Sequence, residues 1–461
     1  MLWSGSEFVV ATGGRALGDE PIGVSGISID TRTLQQGEAF FAISGDRFDG
    51  HDFASQAMAA GASVIVIAES KAIVLGHLQV PKIVVQDVLG ALENVGRAAR
   101  ARTDARIAAV TGSVGKTTTK EMLRAALSVG GATHAAVASF NNHWGVPLTL
   151  SRMPQDSAYA VFEIGMNRPG EITPLVGMVR PHVAAITRIA PAHLGHFDSV
   201  REIARAKAEI FSGLSTDGIA VLNRDDEHYD FLVEQAKAQN VDHIVTFGTE
   251  NDCDIRLVAD PLPQIVVEGT PYDLRLPLRG LHNAMNASCA VAVATALGCD
   301  VAGALRGIAK MAQVTGRGTV ETLDIGGGHI TLLDESYNAN PVSMAAALHV
   351  LSELPVGANG RRIAVLGDML ELGRFSTDMH AQLNVPVLAA QPDLVVLVGP
   401  EMEPLAERLR GKIELHHCSD ADVADTTLRS LLRPNDVVML KASNGTGLGR
   451  LASALRQSAA A

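Results

Sequence analysis

Short apolar runs alternate along most of this chain with stretches in which apolar positions return every three or four residues, the periodicities of buried strands and amphipathic helices. Early in the chain, runs at 39–43 and 64–67 alternate with helical patterning such as 52–60, which predicts a small α/β domain. The Arg/Ala-rich stretch 97–102 reads as a helix end, so the first domain is expected to close near residue 104. Apolar runs recur at 107–110, 159–164, 183–189, 218–222 and 244–247, and after a Gly316-Arg317-Gly318 break at 330–333, 363–366, 394–398 and 437–440. Such alternation predicts mostly parallel sheets covered by helices on both faces. The expected fold class is α/β in three domains: a small N-terminal domain over 1–104, a central parallel-sheet domain over 105–314 and a C-terminal Rossmann-like domain over 315–461. Ligands of such sheets sit beyond the carboxyl ends of the strands, where several polar motifs of this chain fall.

One of them, V-T-G-S-V-G-K-T-T-T-K-E-M at 110–122, is close to a phosphate-binding loop. The usual G-x-x-x-x-G-K-[ST] pattern puts its leading glycine at position 110, where this chain has Val110. Such a loop works only between a buried strand and a helix whose first amides face the phosphates. Both flanks suit it, because 107–110 is apolar and 117–127 holds helix formers with Met122, Leu123, Ala126 and Leu127 on one side. Gly112 and Gly115 allow the turn, Lys116 offers a point charge to the β and γ phosphates, and Thr117 a hydroxyl for magnesium. A plain Gly-rich strand-to-helix turn is the competing reading. The central domain is therefore expected to be a P-loop ATPase.

Composition narrows the partners. With 461 residues, 47% of them hydrophobic, the chain can bury about three cores. A formal net charge of −12 and the lack of a dense Lys/Arg block argue against nucleic acid as a partner. The four cysteines, Cys253, Cys289, Cys299 and Cys418, show neither C-x-x-C pairing nor zinc spacing and read as reduced. Residues 1–12 lack a basic leader before an apolar run, and no apolar stretch reaches the length of a membrane span, so a cytoplasmic enzyme without a membrane span is expected.

Further candidates lie at strand ends. Glu163, in V-F-E-I-G-M, stands where a buried strand favours Val or Ile; a magnesium ion beside the phosphate loop would offset its charge, and a solvated strand end is the alternative. His193 and His196 lack a third soft ligand for zinc. Lys207 sits on a helix among Ile203, Ala206, Ile210 and Phe211, where snorkelling to solvent is the ordinary explanation. Asn283 and Asn286 open a helix of small residues; their amides suit a base edge, and capping explains Asn283 equally well. Asp334, in D-E-S-Y-N-A-N-P, suits a ribose hydroxyl, the alternative being an Asn-rich turn ended by Pro341. The Gly-containing loops 366–373 and 441–450 are expected to face the same cleft.

Together these residues resemble the Mur ligase family, the ATP-dependent enzymes that extend the peptide stem of bacterial cell-wall precursors. That family's loop runs T-G-[ST]-x-G-K-[ST]-[ST]. Thr111, Gly112, Ser113, Val114, Gly115, Lys116, Thr117 and Thr118 fit it at every position, which accounts for the absent glycine. The likeness extends over nearly the whole chain. By that similarity Ile29, Thr31, Asp46, Arg47 and Phe48 touch the UDP end of the substrate, and Asn141, Asn142 and Asn338 meet the substrate elsewhere. Lys116, Glu163, His193 and Lys207 are the implied catalytic residues; Asn283, Asn286, Arg317 and Asp334 join the loop in binding ATP. The implied cofactors are ATP and two magnesium ions held by Thr117, Glu163, His193 and Lys207, the last as a CO2-derived carbamate. Such a modification turns an amine beside two cations into a carboxylate-like ligand.

Within the family, G-D-M-L-E-L-G and D-E-S-Y-N-A-N-P are most similar to the member that adds D-alanyl-D-alanine to a UDP-N-acetylmuramoyl tripeptide. That implies these two partners, met by a monomer, and an acyl-phosphate route. The relative adding a diamino acid usually carries D-N-P-R, which this chain lacks, while K-A-S-N-G stands where the subfamily more often has K-G-S-R-G. Folylpolyglutamate synthases share the loop and modified lysine but not the N-terminal UDP-type domain. From another class, a P-loop module without synthetic chemistry remains the rival.

Overall fold

A computed structural model describes residues 1–192, 194–260 and 262–459. Among these, the first sheet has the strand order Arg15–Leu17, Lys82–Val85, Val64–Ala68, Ala39–Phe41, Ile27–Ser28, parallel except for its first strand. Its inner strands are buried on both faces, as continuous runs of Val and Ile require. Helix Val88–Ala101 begins at Asp87, whose carboxylate accepts the Leu89 amide, and buries Val88, Ala91, Leu92, Val95 and Ala99 against this sheet. Its Gly96 lies so close to the next segment that an added Cβ would sit 3.3 Å from Pro147 O and Leu150 Cβ. Helix Gly145–Ser151 is thereby packed against the first unit.

The second sheet carries the strand order Thr133–Ala135, Tyr159–Glu163, Arg106–Thr111, Val183–Ile186, Ile219–Asn223, His243–Gly248, Ile255–Val258, all parallel. Helices Lys116–Leu127 and Leu281–Ala296 cover one face; Ile172–Val179 and Val200–Ala208 cover the other. The chain leaves Arg106–Thr111 toward one side of the sheet and later returns to the other, so the reversal of strand order falls beside the carboxyl end of that strand. A ligand crevice is expected at such a reversal.

Two antiparallel strands, Gln264–Val267 and Thr270–Asp273, extend this sheet beyond the expected parallel set. Glu268 (φ 49°) and Gly269 (φ 78°) make the tight turn between them.

The third sheet runs Thr319–Asp324, His329–Glu335, Val437–Lys441, Arg362–Gly367, Leu394–Val398, Glu414–Cys418, parallel except for its antiparallel first strand. Pro341 does not end a turn: it opens helix Pro341–Glu353, with Asn340 capping through Ser343. No helix among the described residues is long and apolar enough to cross a membrane.

Candidate active site

The carboxyl end of Arg106–Thr111 delivers the glycine loop into the crevice. Gly112 and Gly115 hold φ values of 150° and 83°, and neither has room for a side chain. A Cβ on Gly112 would fall 1.9 Å from Thr187 Oγ1, and one on Gly115 2.3 Å from Asn286 Oδ1. The loop is thus pressed between the end of a neighbouring strand and helix Leu281–Ala296. Thr187 Oγ1 donates to the Val114 carbonyl, and Ser113 Oγ accepts the Ala190 amide at 3.0 Å.

Lys116 Nζ folds back to donate to the Gly112 carbonyl at 2.8 Å. Burial lowers its pKa; nearby Glu163 opposes the shift, and Arg317 adds to it. Thr111, fully buried, and Thr118 complete the loop.

Glu163 ends the strand beside the loop and is 2% exposed, so it is not a solvated strand end. Its Oε2 accepts from Thr117 Oγ1 at 2.8 Å and its Oε1 from Asn141 Nδ2 at 2.6 Å. Ser139 Oγ lies 3.0 Å from the same threonine hydroxyl. Among the described residues no group of three His, Cys, Asp or Glu side chains forms a metal cluster. The donors gathered here are a hydroxyl and a carboxylate, the hard oxygen set that suits a magnesium ion retaining most of its water. His193 lies outside the described residues.

Lys207 is 1% exposed, so it does not snorkel. Burial and then the positive charge of Lys116 hold its pKa well below the usual lysine range, favouring a neutral amine. Ser199 caps its helix, Val200–Ala208, by accepting the Glu202 amide.

A cleft of about 360 Å³ joins this region to the third sheet. Helix Leu281–Ala296 contributes Asn283 and Asn286; strand ends of the third sheet contribute Arg317, Glu335, Asn338 and Lys441. Asn283 Nδ2 donates backward to the Arg279 carbonyl at 2.7 Å, so the side chain acts as a donor rather than as the helix cap. The Arg317 guanidinium stacks 3.9 Å over the Tyr337 ring and donates to Ser139 Oγ at 3.3 Å. Lys441, 2% exposed, pairs with Glu335 at 3.3 Å and donates to the Asn338 carbonyl at 3.1 Å.

Other expected residues stand differently. Asp334 is fully buried and is held by Arg456, Ser336 Oγ and the Ser336 amide, so the cleft receives its neighbour Glu335 instead. Asn142 accepts the Trp144 and Gly145 amides, fixing the start of helix Gly145–Ser151. Ile29, Thr31, Asp46, Arg47 and Phe48 lie on the first unit and are not part of this cleft. Phe48 is 70% exposed on a loop closed by the Ser44–Asp49 bridge, and Gly45 of that loop abuts Trp144 of the second unit. The loop that carries Phe48 thus lies against the segment that holds Asn141 and Asn142. Ser139, Tyr337 and Glu335 are cleft residues that the sequence reading missed; of the two loops expected there, 441–450 contributes Lys441, and 366–373 contributes no lining residue.

Comparison with known proteins follows the same division. The chain matches the catalytic domain of the Mur ligase family over residues 23–100, the Mur ligase middle domain over 110–294 and the Mur ligase glutamate ligase domain over 320–444. It is 35% identical to the UDP-N-acetylmuramoyl-tripeptide--D-alanyl-D-alanine ligase of Escherichia coli K12, covering 95% of this chain and 94% of that protein. Among solved structures it is similar to MurF from Acinetobacter baumannii, with a TM-score of 0.84 and 31% identity over 99% of both chains. It is also similar to MurF ligase from Thermotoga maritima in complex with ADP, with a TM-score of 0.76 and 25% identity over 94% of this chain and 98% of that one.

Proposed function

The chain belongs to the Mur ligase family, and on that premise we infer that it joins D-alanyl-D-alanine to UDP-N-acetylmuramoyl-tripeptide with ATP, a step of peptidoglycan precursor synthesis. The observation that carries this reading is one cleft in which a glycine loop, a buried carboxylate beside its threonine hydroxyl, and the loops of a second parallel sheet face each other.

A carboxylate does not react with an amine unaided, because its oxygen is a poor leaving group. The γ-phosphoryl of ATP passes to the tripeptide carboxylate, giving ADP and an acyl phosphate; the dipeptide amine then attacks the acyl carbon, phosphate leaves, and the amine proton goes to solvent. Residues 111–118 cradle the nucleotide phosphates, with Lys116 facing the transferring group, and Arg317 approaches the same phosphates from the third unit. Asn283 and Asn286 take the adenine end, and Asp334 supports that wall from behind Glu335 through its bond to Ser336. Ile29, Thr31, Asp46, Arg47 and the exposed ring of Phe48 receive the uridine end. Asn141, Asn142 and Asn338 line the path between them. The units divide near residues 104 and 315, and their closure shields the acyl phosphate from water.

Thr117, Glu163, His193 and Lys207 would hold two magnesium ions, Lys207 as a carbamate; a buried neutral amine is the form that adds CO2. Bound magnesium supplies charge neutralisation at the transferring phosphoryl group. The use of ATP and a UDP-linked precursor supports the cytoplasm as its location.

The test is phosphate release from ATP and Mg2+ with UDP-N-acetylmuramoyl-tripeptide, with and without D-alanyl-D-alanine, followed by mass analysis of the UDP product. Release that requires both substrates, with a product heavier by the dipeptide, is the expected result. Release indifferent to both would leave a nucleotide-hydrolysing module.

A further inference from the structure

Ser139 occupies an irregular segment after strand Thr133–Ala135, yet the segment is clamped at both ends. At one end Lys120, fully buried on the first helix turns after the glycine loop, donates to the carbonyls of Ala136 at 2.8 Å and Ala138 at 3.3 Å and pairs with Glu121 at 2.9 Å. At the other end Asn141 donates to Glu163 at 2.6 Å, and its carbonyl accepts the Gly165 amide at 2.8 Å. A buried ammonium spent on two carbonyls is a strong restraint for a stretch with no ladder of its own.

Between the clamps, the Ser139 hydroxyl touches two groups. It lies 3.0 Å from Thr117 Oγ1 and 3.3 Å from Arg317 Nη2. The direction of these bonds follows from proton counting. Thr117 has one hydroxyl proton, which goes to Glu163 Oε2 at 2.8 Å, so toward Ser139 it can only accept. Ser139 therefore donates to Thr117, and its lone pairs accept from Arg317, which has no acceptor capacity. The four groups form a one-way chain from the guanidinium to Ser139, Thr117 and the buried carboxylate, an arrangement in which each bond polarises the next. Among the described residues Ser139 is the one side chain that hydrogen-bonds the Arg317 guanidinium.

We propose that Ser139 is a positioning residue through which the arrival of Arg317 from the third unit orients the Thr117 hydroxyl at the phosphate site. The inference rests on the ligase reading above but does not require turnover to be tested. It uses the full chain and calorimetric binding of a non-hydrolysable ATP analogue with Mg2+, in a cycle of Ser139→Ala, Arg317→Gln and the double variant.

Each single substitution is expected to weaken binding by roughly tenfold, the loss typical of a hydrogen bond involving a charged group. The double variant is expected to lose little more than the worse single, because both cut the same chain. Ser139→Thr keeps the hydroxyl and restores binding to within about twofold, with melting temperatures equal among the three Ser139 forms. In the ligase assay Ser139→Ala is expected to lower kcat with the KM for the UDP-tripeptide unchanged. Losses that add in the double variant, or a Thr variant as weak as the Ala variant, would overturn the proposal. A wild-type chain that binds the analogue yet makes no dipeptide-extended product would sink the ligase reading while leaving the cycle interpretable.

Discussion

Thr117 Oγ1 donates to Glu163 Oε2 at 2.8 Å, although the two residues are 46 positions apart. They meet because Arg106–Thr111 and Tyr159–Glu163 are parallel neighbours whose register sets Glu163 against Val110, just before the glycine loop leaves the sheet. A helix start and a strand end thereby present a hydroxyl and a carboxylate to one point. A carboxylate at 2% exposure is tolerated there because Thr117 and Asn141 satisfy its oxygens.

Replacing Glu163 with Gln keeps the volume and an acceptor for Thr117 but removes the anion that a magnesium ion would meet. We expect kcat to fall by about two to three orders of magnitude, as for loss of a preorganised electrostatic group. Thermal stability should stay level, because no charge is left buried. The check is phosphate release across a Mg2+ titration together with a melting curve. Activity restored in full by added Mg2+ would mean that Glu163 tunes affinity only, and a collapsed melting temperature would make its role structural.

Lys207 yields a prediction with a definite sign. Its folded-state pKa lies well below the unfolded value near 10.4, so between the two the unfolded chain binds the additional proton. For the unmodified amine, stability therefore rises with pH through that window. Lys207→Met should flatten this slope in bicarbonate-free buffer and raise the melting temperature at neutral pH by a few degrees, while ligation is lost. In the wild type, 13C-bicarbonate should give a carbamate carbon signal that the Met variant lacks, and ligase activity should fall on CO2 removal. An unlabelled lysine with CO2-independent turnover would refute the carbamate.

The legible parts of this site were those whose chemistry is contiguous in the chain. The glycine loop, the acid ending a strand of Val and Phe, and the asparagines of the small-residue helix each carry their signal within a few residues, and each stands at the cleft. Asp334 reads equally well in isolation, yet Arg456, 122 residues later, takes its second oxygen, a pairing that no local pattern reveals. Ser139 is a lone hydroxyl between Ala138 and Phe140 and carries no motif; only the distant Lys120 clamp and the approach of Arg317 give it a direction. The antiparallel strands Gln264–Val267 and Thr270–Asp273 escaped because they are short and mostly unburied, with Ile265 buried in the first and no residue buried in the second, while the expected strands were continuous apolar runs. Pro341 looked like a terminator because its role as a first helical residue depends on Asn340 capping through Ser343.

Asp368 is strained electrostatically. It lies in the G-D-M-L-E-L-G loop, its Oδ1 is buried without a partner, and burial followed by the charge of Glu401 lifts its pKa to about 6 against the opposing amides of Glu401 and Met402. Its folded pKa exceeds the unfolded value near 3.9, so in that window the folded chain binds the additional proton and stability declines as pH rises from about 4 to about 6. Asp368→Asn should remove the decline. Relative to wild type its melting temperature should be equal near pH 4 and higher by about 2–4 °C at pH 7.5. A difference independent of pH would show that the carboxyl does not titrate in this range.

The second and third units also meet backbone to backbone. The Gly195 amide donates to the Glu371 carbonyl at 3.0 Å, and a Cβ on Gly373 would fall 2.6 Å from Gly195 Cα. Gly373 holds φ 55°, so alanine there incurs left-handed strain of roughly 1–2 kcal/mol as well as the clash. The clash faces the other unit, and the nearest relief is for the two segments to part. Gly373→Ala should therefore lower kcat by about tenfold or more while Mg-ADP still binds at the glycine loop, and the liganded chain should scatter as a more open particle. Gly411 provides the control, because it holds φ 75° with nothing within 4 Å of an added Cβ. Gly411→Ala carries the same backbone strain without the contact and should lower stability by about 1 kcal/mol with turnover unchanged. Equal turnover losses in the two variants would assign the effect to backbone strain, and the Gly195–Gly373 approach would then have no part in closing the cleft.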